Sequence, residues 1–229
     1  MIRLEDQEFE SFVLSGASDI AVPLEVFRDA AGNVTITSYR FCLDVAKEFE
    51  MLFEKDPFAP EAVHFLREHL TPLVSKFGFV LDRKASELIY EWERSEPYED
   101  LSAERAVLLT ATPEEGFSSL LSFTPDPDPA NPLSFCAAVI EDGRVVSCAQ
   151  INDLPTDDGF PEVNAETALP YRRMGYAASS VRVLADALIK RGMTVRYACR
   201  SKNKGSAGTA AAAGFVRHGE RRSFVCYHV

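Results

Sequence analysis

A turn that leads into a helix carries the residues best suited to chemistry in this chain, Tyr171-Arg172-Arg173-Met174-Gly175-Tyr176-Ala177. Small residues at positions 175 and 177 let a ligand come close to the backbone. The free N–H groups of a helix's first turn attract anions, and the helix dipole adds about half a positive charge. The pattern therefore indicates a pyrophosphate site, or alternatively a plain helix start with two solvated arginines.

The distribution of charge favours an anionic ligand for the same region. Residues 1–162 carry 32 acidic and 12 basic side chains, whereas residues 163–229 carry 3 acidic and 12 basic ones. A basic segment in a chain of net charge −11 needs an anionic partner. That partner is either a phosphate-bearing ligand or the acidic part of the same chain. Nucleic acid is disfavoured, because it would be repelled by the acidic chain as a whole.

The elements around this turn are predicted to form a mixed α/β sheet covered by helices. The Asp142-Gly143 pair between two apolar runs is a strong hairpin signal, because glycine accepts a positive φ at no steric cost. The predicted elements, in order, are strands over 135–140, 145–151 and 162–168, a helix from 175 to 191, a strand over 194–199, a helix over 203–213, and closing strands at 215–216 and 223–229 around a charged turn.

Two sequence blocks in this region resemble the GNAT superfamily of N-acetyltransferases. Arg172–Ala177 resembles the family's Q/R-x-x-G-x-G/A motif, and Glu166–Arg172 is similar to a run found in several of its branches. Asn203-Lys204-Gly205-Ser206, followed by Ala213-Gly214-Phe215, resembles the family's N-x-x-S…L-G-F segment at the usual spacing. The resemblance is clear over residues 133–229, weaker over 104–132, and absent from the first hundred residues.

The resemblance implies a GNAT-like acyl-CoA N-acyltransferase fold that uses acetyl-CoA as donor and a primary amine of a small molecule or peptide as acceptor. Backbone amides over about 173–178 would bind the pyrophosphate of CoA, and Thr167–Leu169 would pair with the pantetheine arm like an extra strand. Asn203 would bond to that arm while also capping a helix. The implied cofactor-binding set is Thr167, Ala168, Leu169, Arg172, Arg173, Met174, Gly175, Tyr176, Ala177, Asn203 and Ser206. Many such domains pair through C-terminal strands, so a homodimer is a further expectation.

An amine acceptor must lose a proton before it attacks, so the site needs a base. Glu162 and Glu166 share one face of the predicted strand and are the candidate catalytic residues. Asp157 and Asp158 in the preceding loop are alternatives, and each of these carboxylates could instead be solvated or paired with an arginine.

The general acid departs from the family's pattern. Many members carry a tyrosine four residues after the second-block serine, where this chain has Ala210. The protic side chains expected nearby are Tyr176, Tyr197, Cys199 and Tyr227. This departure supports an alternative function, a non-catalytic CoA-binding regulatory or interaction module. Cysteine nucleophiles are disfavoured because the thiols are expected to lie buried in strands.

The chain is predicted to divide into a mainly helical N-terminal extension or substrate-side region, 1–103, and an acetyltransferase domain, 104–229. The extension is expected to start with a hairpin of strands at 20–27 and 34–41. Helices would follow at 41–53 and 60–77, with a short one at 86–92 that contains Trp92 as a core or pocket residue. The sequence shows no apolar run of about 18 residues and no leader-like start. A cytoplasmic protein without a metal site or membrane span is therefore expected.

Overall fold

The structure is a computed structural model that describes residues 1–4, 9, 20–82, 88–109, 134–151 and 160–229. Contacts between Cα atoms divide the chain into two compact units. The first comprises Met1–Tyr90 together with Gly219–Val229, and the second comprises Glu91–His218. The C-terminal end of the chain thus belongs to the first unit, and the functional division after residue 103 stays a prediction.

The first unit combines strands with two helices. Its elements are β1 (Ile2–Leu4), β2 (Ile20–Asp29), β3 (Val34–Ser38), α1 (Leu43–Leu52), α2 (Pro60–Ser75), β4 (Phe79–Leu81) and the later part of β11 (Val216–His228). The predicted hairpin and the two long helices are confirmed, and Pro72 stays inside α2 without ending it. A mainly helical extension is not confirmed, because the sheet contributes as much of this unit as the helices do.

The core of the first unit lies between the hairpin and the helices. Leu24 and Ile36 from the strands pack with Phe49 of α1 and with Leu66 and Leu70 of α2, and all of these side chains are buried. Buried apolar side chains at three- and four-residue spacing explain why the helical pattern of α2 could be predicted from its sequence.

The short helix predicted at 86–92 is wrong over its described residues. Ile89–Arg94 forms strand β5, and its side chains are all partly buried. Ile89, Tyr90 and Trp92 are β-branched or aromatic residues, which fit a half-buried pleated strand better than a helix.

The charged turn predicted at 217–222 is also wrong, because β11 is one continuous strand from Val216 to His228. Cross-strand pairs accommodate the charges: Glu220 lies opposite Arg28 and accepts hydrogen bonds from its guanidinium. Ser223 lies opposite Glu25 and donates to its carboxylate. A charge run that meets complementary charges on the neighbouring strand stabilises the strand rather than breaking it.

The second unit is a mixed α/β arrangement. Its elements are the Glu91–Arg94 part of β5, β6 (Ala106–Leu108), β7 (Cys136–Glu141), β8 (Arg144–Ile151), β9 (Val163–Thr167), α3 (Tyr176–Ile189), β10 (Val195–Arg200), α4 (Lys204–Ala212) and the start of β11. Strands β6 to β9 form an antiparallel sheet in that order, and β10 lies beside β5. The Asp142-Gly143 hairpin is confirmed, with φ values of 50° and 73° at the two turn residues.

Helix α3 docks on the antiparallel sheet of the second unit. Val181, Leu184 and Leu188 are fully buried along one side of the helix. The Ser179 hydroxyl oxygen accepts hydrogen bonds from the backbone N–H groups of Arg105 and Ala106, each at 3.0 Å. These contacts fix the position of the helix, and therefore of the turn that precedes it.

The predicted helix start at Thr112 and the proline-rich loop at 124–129 lie outside the described residues. Among the helices that the structure describes, none combines the length and apolarity needed to cross a membrane.

Candidate functional site

Strands β9 and β10 meet at one end and part toward the other. Within the described residues they share one parallel bridge, Glu162 with Arg196, supported by a hydrogen bond from Arg196 N to Pro161 O at 2.9 Å. Beyond this bridge the two strands belong to separate sheets. We call the region beyond this bridge, between the C-terminal ends of β9 and β10, the gap.

The edge of β9 that faces away from β8 offers peptide groups to this gap. Ala168 N donates to Val146 O on β8 at 2.9 Å, so the main-chain groups of Glu166 and Ala168 are directed toward β8. Hydrogen bonding alternates along an antiparallel strand, so Ala165 and Thr167 direct their groups toward the gap. An extended ligand that contains amide groups can pair with such an edge as an additional strand would.

The turn after β9 leaves its backbone amides open. Gly175 is the N-cap of α3 at φ 79°, with no capping side chain, and Arg173 is also left-handed at φ 67°. Among the described residues, the amide N–H groups of 173–178 donate to no backbone carbonyl, and Ser179 N is the first to bond back, to Gly175 O. Residues 172–175 are exposed. Consecutive amides around left-handed residues at a helix N-terminus form a concavity suited to phosphate oxygens.

Arginine and tyrosine side chains hold this turn in place. Arg172 Nε donates to Thr167 O at 3.1 Å, which ties the turn to the end of β9. The buried Tyr176 donates its hydroxyl proton to Glu141 Oε1 at 2.7 Å and accepts from Arg105 Nη1 at 2.7 Å. The bond to Glu141 is the main cause that raises the pKa of Tyr176. Tyr176 is therefore an anchor for the start of α3, and its hydroxyl proton is used in the hydrogen bond to Glu141.

The second group of predicted residues follows β10. Asn203 is the N-cap of α4, and its Oδ1 accepts from Ser206 N at 3.1 Å. The Ser206 hydroxyl lies 2.9 Å from the hydroxyl of Tyr197, which is buried. The capping alternative for Asn203 is therefore confirmed, while the exposed carboxamide nitrogen of Asn203 remains a donor for a ligand.

A cluster of protic side chains lies beneath the N-terminal end of α4. Burial raises the pKa of Tyr197, and the hydrogen bond to Ser206 opposes that shift. Burial also raises the pKa of Cys199, whereas the neighbouring polar groups of Trp92 and Ser206 oppose that shift. Both side chains are consequently protonated near neutral pH, and the partly buried Trp92 lies beside Cys199 in this cluster.

The two predicted carboxylates differ in their surroundings. Glu162 is half-buried at the bridge between β9 and β10, and its charge contributes to the raised pKa of Tyr197. Glu166 is exposed near the open end of the gap, opposite Cys148 of β8. The alternative bases Asp157 and Asp158 lie outside the described residues.

Charged residues near the bridge were missed by sequence reasoning. Glu93 of β5 lies 3.7 Å from Arg196 Nε and 3.9 Å from His218 Nδ1, and the Arg196 guanidinium lies over the Phe160 ring at 4.4 Å. A helix over 86–92, as predicted, does not place Glu93 beside β10. The observed strand β5 does, because it lies next to β10 in the sheet.

The remaining candidates contribute less to the site. Ala210 is fully buried and has no protic group, and Tyr227 is exposed in the first unit. Burial raises the pKa of the Cys136 thiol to about 12 and that of Cys148 to about 11, so neither is a ready nucleophile.

The predicted cofactor set thus falls into two groups that border one gap. One group comprises the end of β9, the turn and the start of α3, namely Thr167, Ala168, Leu169, Arg172, Arg173, Met174, Gly175, Tyr176 and Ala177; the other, Asn203 and Ser206, follows β10. The amides over 173–178, which donate to no backbone carbonyl of the described residues, suit a diphosphate. The edge of β9 suits an amide-containing arm, so these residues fit a CoA-type molecule.

No protein-family model matches this chain, and no curated protein matches it. Solved structures to which it is similar include an acetyltransferase assigned to the GNAT family from Novosphingobium aromaticivorans, with 17% identity and a TM-score of 0.46 over 66% of this chain and 68% of that one. A GCN5-related N-acetyltransferase-like protein from Streptococcus suis has 15% identity and a TM-score of 0.45 over 97% and 94%. A GNAT-family acetyltransferase from Colwellia psychrerythraea has 14% identity and a TM-score of 0.44 over 64% and 57%. Likenesses at this level do not assign a function to the chain.

Proposed function

We propose that the second unit is an acetyl-CoA-dependent N-acyltransferase of the GNAT type. The observation that carries the proposal is the run of backbone amides over 173–178 at the start of α3, which donate to no backbone carbonyl of the described residues and lie beside the edge of β9. A diphosphate and an amide-containing arm, joined as they are in CoA, would engage both features at once.

Different residues would bind different parts of the acetyl donor. The amides of the turn would bind the diphosphate, and Arg172 and Arg173 would add positive charge beside it. The edge at Thr167 would pair with the pantetheine arm, and the Asn203 carboxamide would donate to it. Acetyl-CoA, once bound, supplies an activated acetyl thioester.

A carboxylate at the gap would prepare the acceptor. We assign Glu162 as the base that removes a proton from the ammonium group, because it is half-buried at the strand bridge while Glu166 is exposed. The acceptor would be a primary amine of a small molecule or peptide, and the acidic character of residues 1–162 favours a cationic one.

The proton for the leaving thiolate would come from the hydroxyl pair of Ser206 and Tyr197. Burial raises the pKa of Tyr197, so this hydroxyl stays protonated at neutral pH and is available as a donor. The pair would replace the tyrosine that the resemblance leads one to expect at position 210. We further propose that the protein acts in the cytoplasm and that two copies pair through C-terminal strands.

A second candidate function is a CoA-binding regulatory or interaction module without catalysis. The buried, hydroxyl-free Ala210 favours it, because the usual acid is missing there. Thiol release from acetyl-CoA in the presence of a panel of primary amines separates the two functions. The enzyme releases CoA thiol with at least one amine, whereas the module binds CoA and releases none.

A binding experiment tests what both functions share. Calorimetry and thermal unfolding of the full chain with CoA and acetyl-CoA should show binding and stabilisation of the second unit. Arg172→Ala should weaken that binding, because it removes a positive charge and the link to Thr167 O. Failure of the unmodified protein to bind CoA would exclude both functions.

A further inference from the structure

Helix α4 has little apolar surface with which to fix its position. Its sequence, Lys-Gly-Ser-Ala-Gly-Thr-Ala-Ala-Ala, has no side chain larger than threonine after the first residue, and Ala210 is its buried member. Burial of a few methyl groups gives a weak and poorly directional contribution. Other contacts must therefore determine where the helix lies.

Three successive carbonyls at the C-terminal end of α4 each accept a side-chain hydrogen bond. Arg182 Nη1 donates to Ala212 O at 3.1 Å, the Tyr98 hydroxyl donates to Ala213 O, and Arg94 Nη1 donates to Gly214 O at 2.8 Å. The last carbonyls of a helix have no partner within the helix and carry its negative dipole end, so cationic donors there are favourable. We call Arg94, Tyr98 and Arg182 the clamp.

The clamp residues are themselves held from several directions. The Arg94 guanidinium lies 4.0 Å above the Tyr98 ring and donates to Pro97 O at 3.3 Å. Tyr98 N donates to Asp186 Oδ1 of α3 at 3.2 Å, and Arg182 pairs with Glu104 at 2.7 Å. The clamp therefore ties the end of α4 to α3, the helix that starts at the diphosphate turn.

Gly214 leaves the space that the Arg94 guanidinium occupies. It has a φ of 78°, and a Cβ built on it would lie 3.1 Å from Arg94 Nη1 and 3.7 Å from Tyr98 Cε1. Gly214 thus has two roles: its left-handed backbone ends α4, and its lack of a Cβ leaves room for the Arg94 guanidinium.

We propose that Arg94 and Tyr98 are positioning residues for the pantetheine-binding end of α4. This inference rests on the proposed function, in which Asn203 and Ser206 at the N-terminal end of the same helix face the CoA arm. A helix of nine residues is a rod of about 14 Å, so a shift at its C-terminal end moves its N-terminal end as well. The clamp acts on the pantetheine contacts and not on the diphosphate turn, since the turn belongs to α3.

The test compares two ligands and two arginines. In the proposed function CoA engages both the turn and α4. ADP carries the diphosphate that would bind the turn but has no pantetheine arm to reach α4. Arg94→Gln removes a guanidinium that stacks on a ring and caps a helix. Arg191→Gln is the matched control, because Arg191 also donates to a helix carbonyl, Ala187 O at 2.8 Å, and lies over the Phe135 ring at 4.4 Å, but it caps α3.

Calorimetry with the full chain should show that Arg94→Gln raises the Kd for CoA about fivefold and leaves the Kd for ADP unchanged. A fivefold change in Kd corresponds to the net free energy of about one hydrogen bond. Tyr98→Phe keeps the ring under Arg94 and removes the donor to Ala213 O, so it should show the same selective loss. Arg94→Lys, which can still donate to Gly214 O, should recover part of the CoA affinity. Arg191→Gln should change neither Kd.

Hydrogen exchange provides a readout without ligand. Backbone amides of α4 should exchange faster in Arg94→Gln and Tyr98→Phe than in the unmodified protein, while those of α3 should not change. Equal losses of CoA and ADP affinity, or unchanged CoA affinity in both clamp variants, would overturn the positioning role and leave the proposed function standing. An unmodified protein that binds ADP but not CoA, or neither, would overturn the proposed function, and the positioning role with it.

Discussion

Replacing Gly175 with aspartate should separate cofactor binding from folding stability. Gly175 has a φ of 79°, and a Cβ there would meet no atom within 4 Å, so the substitution brings backbone strain without a clash. Gly192 offers a matched control, with a φ of 83° and equally open surroundings, but it lies after the C-terminal end of α3 rather than at its start.

The two variants should lose different amounts of stability. A non-glycine residue in the left-handed region costs about 1–2 kcal/mol at either position. At Gly175 a carboxylate at the helix N-terminus offsets about 0.5–2 kcal/mol of that cost through capping and the dipole, whereas at Gly192 the dipole opposes the carboxylate. Since 1 kcal/mol corresponds to about 2–4 °C for a chain of this size, Gly192→Asp should lower Tm by about 2–8 °C and Gly175→Asp by clearly less.

CoA affinity should show the reverse order. The added carboxylate at Gly175 competes for the amides that would receive the phosphates, and hydrogen bonds to charged groups contribute about 1.5–3 kcal/mol each. Loss of even two such bonds raises the Kd at least about a hundredfold in Gly175→Asp, measured by calorimetry, while Gly192→Asp binds like the unmodified protein. A Gly175→Asp variant that keeps its CoA affinity would refute the assignment of the turn.

The catalytic and anchoring residues give further predictions. Glu162→Gln should lower kcat about 100-fold, measured as thiol release with a primary amine, with little change in the Kd for CoA; an equal loss in Glu166→Gln but not in Glu162→Gln would reverse their roles. Tyr197→Phe should lower kcat about tenfold or more at unchanged CoA affinity, and full activity would exclude it as the proton donor. Tyr176→Phe leaves the Glu141 carboxylate, within the described residues, only its longer bond from Arg105 Nη1, at 3.5 Å, and should reduce the free energy of unfolding by about 1–3 kcal/mol, measured by urea titration, whereas an unchanged value would mean that the anchor is dispensable. Burial raises the pKa of Cys136 to about 12, so above pH 9 that thiol ionises only in the unfolded chain, and Tm should fall as the pH rises from 9 to 11; a Cys136→Ala variant with the same slope would contradict this source.

Local features of the site could be predicted from the sequence because each depends on a few neighbouring residues. The Asp142-Gly143 turn needs positive φ at adjacent positions, which is what the structure contains. Asn203 caps its helix through the amide of Ser206, three residues later, as the spacing indicates. The open amides over 173–178 likewise follow from a helix that starts at glycine without a capping side chain.

Features that depend on distant residues could not be predicted in this way. The charges over 217–222 indicate a turn until Arg28 of β2 is known to lie opposite Glu220, and Glu25 of β2 to pair with Arg221 at 3.3 Å. The clamp joins Arg94 and Tyr98 to carbonyls more than a hundred residues later, and no local pattern encodes that approach. The strand character of Ile89–Arg94 is likewise set by its neighbours in the sheet, because short apolar runs fit a helix or a strand equally well.

The backbone amide signals of the full chain, followed by NMR during titration with CoA, provide the most direct measurement. The account predicts that the largest chemical-shift changes occur at the N–H groups of 173–178, since these would donate to the phosphate oxygens, with smaller changes at Thr167 and Asn203. Binding that leaves the amides of 173–178 unchanged while other signals move would contradict the central claim.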